Sequence, residues 1–183
     1  MAMSFRILAA TAALALVGGC STVGGGRPSE GGTSVTRIHL GGVIARGEVS
    51  VEPRFTTQAA GGVYEPAFGT TVAEELRTLG FRPAANPAVS EFVATVDVAT
   101  ATGAALAARA PATGATEAAV SANVATQLAV QLKRRSDGSI VWEGRARAPA
   151  QADAIASAAT VRKLARAMFR DFPGESGRTI LIR

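Results

Sequence analysis

The chain has one cysteine, Cys20, and one histidine, His39, among its 183 residues. A lone cysteine excludes an internal disulfide. A lone histidine excludes a histidine-built metal cluster. Aromatic residues make up 5% of the chain, too few for a platform on which nucleic-acid bases stack. No G-x-S-x-G run supports a serine nucleophile, and the glycine-rich tracts match neither phosphate-binding fingerprint. The apolar run from Ile7 to Val17 covers 11 residues. A helix that spans a bilayer needs about 20. What this run does have is a short head with one charge, Arg6, and a tail of small residues, Gly18 and Gly19, ending at Cys20.

That layout is the layout of a secretory signal with small residues at the cut. The run Leu16-Val17-Gly18-Gly19-Cys20 closely resembles the lipobox of bacterial lipoproteins. The resemblance implies that residues 1–19 are a signal peptide and that Cys20 is lipidated and becomes the new N-terminus. Ser21 is not the aspartate that retains such proteins at the inner membrane, so the expected destination is the outer membrane, with the domain facing the periplasm. Removing residues 1–19 leaves 164 residues and a net charge of +4, enough for one domain and too mild a charge to suggest nucleic acid. Ser21 to Ser34 carries five glycines and almost nothing apolar. Residues 20–34 therefore read as the lipidated N-terminus and a tether with a reach of roughly 20 Å, and 35–183 as a single domain.

Within the domain, Val35 to Leu40 alternates, with Thr36, Ile38 and Leu40 on one face and Arg37 and His39 on the other. Glu48 to Phe55 alternates again, and Pro53 suits an edge or a strand end. Pro66 opens a helix in which Phe68, Val72, Leu76 and Leu79 form one stripe, closed by Gly80 with Phe81 folding back on Leu76. Glu91 to Val98 is a strand, and Thr100 to Glu117 reads as a mobile loop. Ala118 to Lys133 and Ile140 to Arg147 form a hairpin, with Gln127, Gln131, Lys133, Glu143, Arg145 and Arg147 on a solvated face. A one-residue slip would flip every side chain. The burial pattern therefore selects a three-residue loop, 136–138, with Gly138 left-handed. That loop pairs Leu132 with Trp142, Val130 with Gly144, Leu128 with Ala146 and Gln131 with Glu143. A last helix runs over about 153–172 on Ile155, Ala158, Val161, Ala165, Met168 and Phe172. Thr179 to Ile182 adds a terminal strand. The expected fold is α+β: an antiparallel sheet of about five strands with two helices, 66–79 and 153–172, packed on one face.

Four tracts in this order resemble a family. They are Val72 to Phe81, Glu91 to Val98, the D-G-x-x-V-W-x-G-x-A run from Asp137 to Ala146, and the terminal Phe169-Arg170-Asp171-Phe172-Pro173. Together they look like the bacterial lipoproteins grouped as domain of unknown function 4136, over roughly residues 48–173. The resemblance implies an α+β envelope domain and supplies no activity.

An enzyme would have to be built from little. With Cys20 committed to lipid, no Cys–His pair forms, and His39 has no evident relay. Glu74 and Glu75 are neighbours on an exposed helix side and do not converge. Arg162, Arg166 and Arg170 recur at i, i+4, i+8. They are either a solvated face favoured by the helix dipole or a contact for anionic head groups and lipopolysaccharide phosphates. The sequence thus points to a non-enzymatic, lipid-anchored envelope lipoprotein, a binding or envelope-assembly module with no cofactor and no metal. Its membrane contact is the lipid on Cys20, and it has an envelope protein as its partner. An auxiliary lipoprotein of a lipid or lipopolysaccharide transport machine and an undetected periplasmic hydrolase are the alternatives. The latter would need a cleft of clustered acids.

Overall fold

The chain alternates strands and helices in a computed structural model that describes residues 32–54, 65–108, 124–151 and 154–183. The strands are β1 (Thr33–His39), β2 (Glu48–Pro53), β3 (Arg82–Pro83), β4 (Phe92–Thr102), β5 (Val124–Arg134), β6 (Ile140–Pro149) and β7 (Thr179–Ile182). The helices are α1 (Pro66–Thr78), α2 (Gly103–Ala108) and α3 (Ala158–Phe169). The fold is α+β, with one sheet in the order β3-β2-β4-β5-β6-β1-β7.

The sheet is mixed rather than antiparallel. β2 runs parallel to β3 and to β4, and every other pairing is antiparallel. The reason is the path after β2. The chain passes through α1 before it re-enters the sheet, and a strand–helix–strand crossover returns the second strand parallel to the first. The short β3 is too brief to leave a periodic signal. Pro53 does end β2, and Phe55 lies outside the described residues.

Local chemistry explains the helix ends. Pro66 occupies the first turn of α1, and Phe68, Val72 and Leu76 are buried. Gly80, at φ +92°, closes the helix. Phe81 N–H donates to the Leu76 carbonyl at 3.1 Å and Gly80 N–H to the Arg77 carbonyl at 3.0 Å, the double bond of a Schellman end. α3 is shorter than its periodicity predicts. Ser157 caps it by accepting from Thr160 N–H at 3.2 Å. Ile155 therefore lies outside the helix, 78% exposed. The segment expected to be a loop from residue 100 instead continues β4 to Thr102, because β5 pairs with it as far as Val124, and then forms α2. Residues 109–123 lie outside the described residues.

α1 lies against β2, β3 and β4, and α3 against β5, β6 and β1, both on the same face. Between them and the sheet runs one apolar cluster that includes Phe68, Leu76, Phe92, Val96, Leu128, Val130, Leu132, Trp142, Leu164 and Met168. Trp142 stacks on Phe169 with ring centroids 5.3 Å apart and lies 5.1 Å from Phe172. Its indole N–H donates to the Pro173 carbonyl at 3.0 Å, so the one polar atom of this buried ring is satisfied. Phe172 meets Phe81 edge-on at 6.1 Å, and Arg46 lies 4.8 Å from the Phe172 ring centroid and 5.2 Å from that of Phe81.

The hairpin register is the one the burial pattern selects. Leu132 pairs with Trp142, Val130 with Gly144, Leu128 with Ala146 and Gln131 with Glu143. The connection is one residue longer than expected. Arg134 N–H donates to the Ser139 carbonyl at 2.9 Å, which leaves 135–138 as the loop. A register shift after Leu132 pairs Lys133 with Ile140 and steps over Val141, so the extra loop residue is taken up by a bulge. Gly138 is left-handed as expected, at φ +69°.

β1 corrects a second expectation. Its alternation stands, but the side turned to the helices carries Val35, Arg37 and His39, whose neighbours on β6 are Ala146, Gly144 and Trp142. Arg37 is only 3% exposed. Its Nε donates to the Met168 carbonyl at 2.8 Å, and one terminal nitrogen donates to Ala167 and Arg170 carbonyls at 3.1 and 2.8 Å. These are open carbonyls at the end of α3, where a cation is favoured. Burial pushes the Arg37 guanidinium below its ordinary value, against the pull of Asp171.

Two measurements check this account. A Cβ on Gly144 would stand 2.2 Å from the Trp142 ring and 2.8 Å from Met168. Gly144→Ala should therefore cost about 1–3 kcal/mol or more of stability in urea unfolding, as overpacking does. In the hairpin loop, Asp137 accepts from the Ser139 hydroxyl and N–H and from Arg134, which lowers its carboxyl to about 2. A carboxyl lowered on folding stabilises above its ordinary range and loses that contribution as pH falls through the folded value. Carbon-detected NMR titration should place the Asp137 midpoint well below the usual carboxylate range.

Candidate functional site

The sheet face away from α1 and α3 carries the densest set of charged and amide side chains. Pairing lines them up in rows across β4, β5, β6 and β1. Thr95, Gln131, Glu143 and Ile38 form one row, Asp97, Ala129, Arg145 and Thr36 the next, and Ala99, Gln127, Arg147 and Ser34 a third. Period-two alternation puts these residues together, because every second residue of each strand faces this way.

The sequence leads one to expect this face to be wet. It is not: Glu143 is 2% and Arg145 4% exposed, and Asp97, Gln127 and Gln131 are buried as well. Alternation of polar and apolar residues reports two unlike faces and does not report that the polar one meets solvent. α2 folds back against β4 and β5. Its Leu106 is fully buried outside the main apolar cluster, as are Ala99 and Ala129 of this face. Only Leu106 of that helix gives a hint in the sequence, and a lone leucine in an alanine-rich tract is a weak one.

The buried charges are paired. Glu143 accepts from Gln131 Nε2 at 3.0 Å through one oxygen and from the Arg145 guanidinium through the other. Arg147 Nε donates to Gln127 Oε1 at 2.7 Å. Thr95 Oγ1 is buried with no hydrogen-bond partner among the described residues. Asp97 and Glu143 share the face but sit two strands and two residues apart, about 12 Å between Cα atoms from sheet spacings. The arrangement holds the Glu143 carboxylate in a fixed geometry with both oxygens accepting.

The residues singled out in the sequence do not come together. Cys20 lies outside the described residues. Arg162, Arg166 and Arg170 are exposed along α3, away from the buried network. Two of the three have acidic neighbours: Arg166 Nε is 3.4 Å from Glu75 of α1, and Arg170 Nε is 3.7 Å from Asp171. His39 faces backbone. Its Nε2 is 3.0 Å from the Gly174 carbonyl, and its Nδ1 accepts from Gly41 N–H at 3.1 Å. Ser176 Oγ bonds to the His39 main chain on both sides, not to the ring. Among the described residues no three His, Cys, Asp or Glu side chains are placed to hold a metal ion. No helix among them is long and apolar enough to cross a membrane.

No family model matches the chain. A stretch of 58 residues is 48% identical to an uncharacterized protein of Zymomonas mobilis, covering 31% of this chain and 22% of that protein. The chain thus spans about a fifth of the length of the curated relative it matches. Among solved structures, a PDZ domain protein from Parabacteroides distasonis shares the fold at a TM-score of 0.55 and 12% identity, over 80% of this chain and 37% of that one. A PelC dodecamer from Paraburkholderia phytofirmans aligns at a TM-score of 0.41 and 18% identity, over 75% of this chain and 94% of that one.

The buried pair can be tested by double substitution. Glu143→Leu alone removes the buried carboxylate that accepts from Arg145 and should cost about 3–5 kcal/mol in chemical denaturation. Glu143→Leu combined with Arg145→Met should recover most of that loss, because both charges leave together. Strictly additive losses would show that the two charges are stabilised separately.

Proposed function

We propose that the protein is a lipid-anchored envelope protein that works by contact rather than by catalysis. The observation that carries this reading is the position of Cys20, at the end of an 11-residue apolar run and two glycines and ahead of a glycine-rich stretch. In this reading residues 1–19 are removed, Cys20 carries the lipid, and the domain faces the periplasm from the outer membrane. The tracts 72–81, 91–98, 137–146 and 169–173 resemble the lipoproteins grouped as domain of unknown function 4136, and that resemblance supports an envelope domain. The chemistry of the site supports the non-catalytic part. The sole imidazole is committed to two backbone groups, and Glu143 is committed to Gln131 and Arg145. An enzyme site needs a nucleophile or base within reach of a second group and free to react.

Fractionation of cells that carry Cys20→Ala tests the anchor. The variant should accumulate as unprocessed precursor or as soluble periplasmic protein, while the parent is found with the outer membrane. A mature-sized Cys20→Ala species that still fractionates with the outer membrane would overturn the reading. Crosslinking in intact cells, followed by identification of the attached proteins, then addresses the contact.

A further inference from the structure

The imidazole of His39 is held in one tautomer by its two partners. A backbone N–H can only donate and a backbone carbonyl can only accept. Gly41 N–H lies 3.1 Å from Nδ1, and the Gly174 carbonyl lies 3.0 Å from Nε2. Nδ1 must therefore carry the lone pair and Nε2 the proton, and the ring is neutral. Adding a proton to Nδ1 points an N–H at the Gly41 N–H. That bond is lost, while the bond from Nε2 to Gly174 becomes charge-assisted.

The Gly41 contact matters because little else holds the segment it belongs to. Gly41 and Gly42 both have left-handed backbones, φ +80° and +84°, with open space where a side chain would stand. Leu40 is 86% and Val43 99% exposed. The chain is fixed again only at Ile44, which is buried, and at Arg46, whose Nε donates to the Leu79 carbonyl at 2.8 Å. On the other side, Ser176 Oγ and the Gly177 N–H bonded to the Arg37 carbonyl hold the 174–177 segment to β1 through groups that do not titrate. Among the described residues, 40–43 thus form an apolar tip with one local tie, and that tie is to a titratable ring.

We propose that His39 is a pH-operated latch: its neutral form pins the Leu40–Val43 tip through Gly41, and its protonation releases the tip. Imidazole is the side chain whose charge changes between pH 5 and 8. The charged groups on the elements around it have other partners. Glu175 pairs with Arg178 at 2.8 Å, and Asp171 lies 3.7 Å from Arg170. Arg37, on the same face of β1, donates to the carbonyls at the end of α3, and Arg46 lies over Phe81 and Phe172. On β6 beside it, Glu143 and Arg145 pair with each other on the opposite face of the sheet. The latch acts in the tip alone, and the α3 end and β7 stay in place.

Because His39 is the only histidine, its titration is read without ambiguity in the full chain in detergent micelles. Long-range imidazole nitrogen spectra should show the Nε2–H tautomer at high pH. The Gly41 amide proton should move upfield, as loss of a hydrogen bond requires, with the same midpoint as the ring. The Gly177 amide should not follow it. His39→Asn replaces Nδ1 with a carboxamide oxygen that accepts from the N–H two residues on and does not titrate. In that variant Gly41 should be indifferent to pH over the same range. An Nδ1–H tautomer at high pH, a Gly41 amide that ignores the ring's titration, or an unchanged Gly41 titration in His39→Asn would each overturn the latch.

Discussion

The fit of α3 onto the sheet is the constraint on which the rest depends. Gly144 has no side chain, so Trp142 and Met168 close over it and the helix comes near. That approach brings the last carbonyls of α3 within reach of Arg37, which lies on the strand next to β6, whose Trp142 ring stacks on Phe169. The guanidinium is buried, and among the described residues no carboxylate is in direct contact with it. Its hydrogen bonds to three carbonyls, strengthened by the dipole of α3, offset the desolvation that burial imposes. Past that point the chain turns through Phe172, Pro173 and Gly174, whose own Cβ would stand 2.5 Å from Arg37. It then returns as β7 on the far side of β1. Helix end, aromatic cluster and final strand thus share one anchor.

The opposite face shows the other way a sheet can be covered. Its rows mix carboxylates, guanidinium groups and amides, and burial would be costly if any were left alone. Glu143, with one oxygen to an amide and the other to an arginine, shows how that cost is met. Paired buried charges contribute less to net stability than apolar side chains of the same volume. They do penalise wrong registers strongly, because a shift of one residue would separate each pair. In β5 and β6 the ionic face and the apolar face specify the same register, Gln131 against Glu143 and Leu132 against Trp142.

Much of this was legible in the sequence where a local rule governs. The Gly80 cap, the first turn at Pro66, the pairing of β5 with β6 and the terminal strand all follow from periodicity, turn chemistry or parity. What was not legible depends on partners far along the chain. Nothing near β2 says that it runs parallel, because that is set by the route through α1. Arg37 alternates as a surface residue would, and only the end of α3, some 130 positions on, gives it a reason to be buried. Ser157 cut α3 short where apolar spacing alone would have carried it back to Ile155. The polar face was identified residue by residue, yet Glu143 and Arg145 on it are buried, and alternation alone does not announce that.

The direction of β1 joins these parts to the proposed anchor. The strand begins at Thr33 and ends at His39, roughly 20 Å further on at a strand's rise per residue. If the lipid is on Cys20, the end of the sheet at Thr33 is nearer the membrane. The His39 end, with the exposed Leu40 and Val43, the 135–138 loop and the start of β4, is then the far end. β1 also lies inside the sheet, bonded to β6 on one side and β7 on the other. On the proposed anchor, a load reaching Thr33 would be shared by two antiparallel ladders before it reached the core, whereas a chain anchored through an edge strand would peel from that edge. On that proposed anchor the far end would be the one left for contact, and His39, the chain's one imidazole, sits at its base.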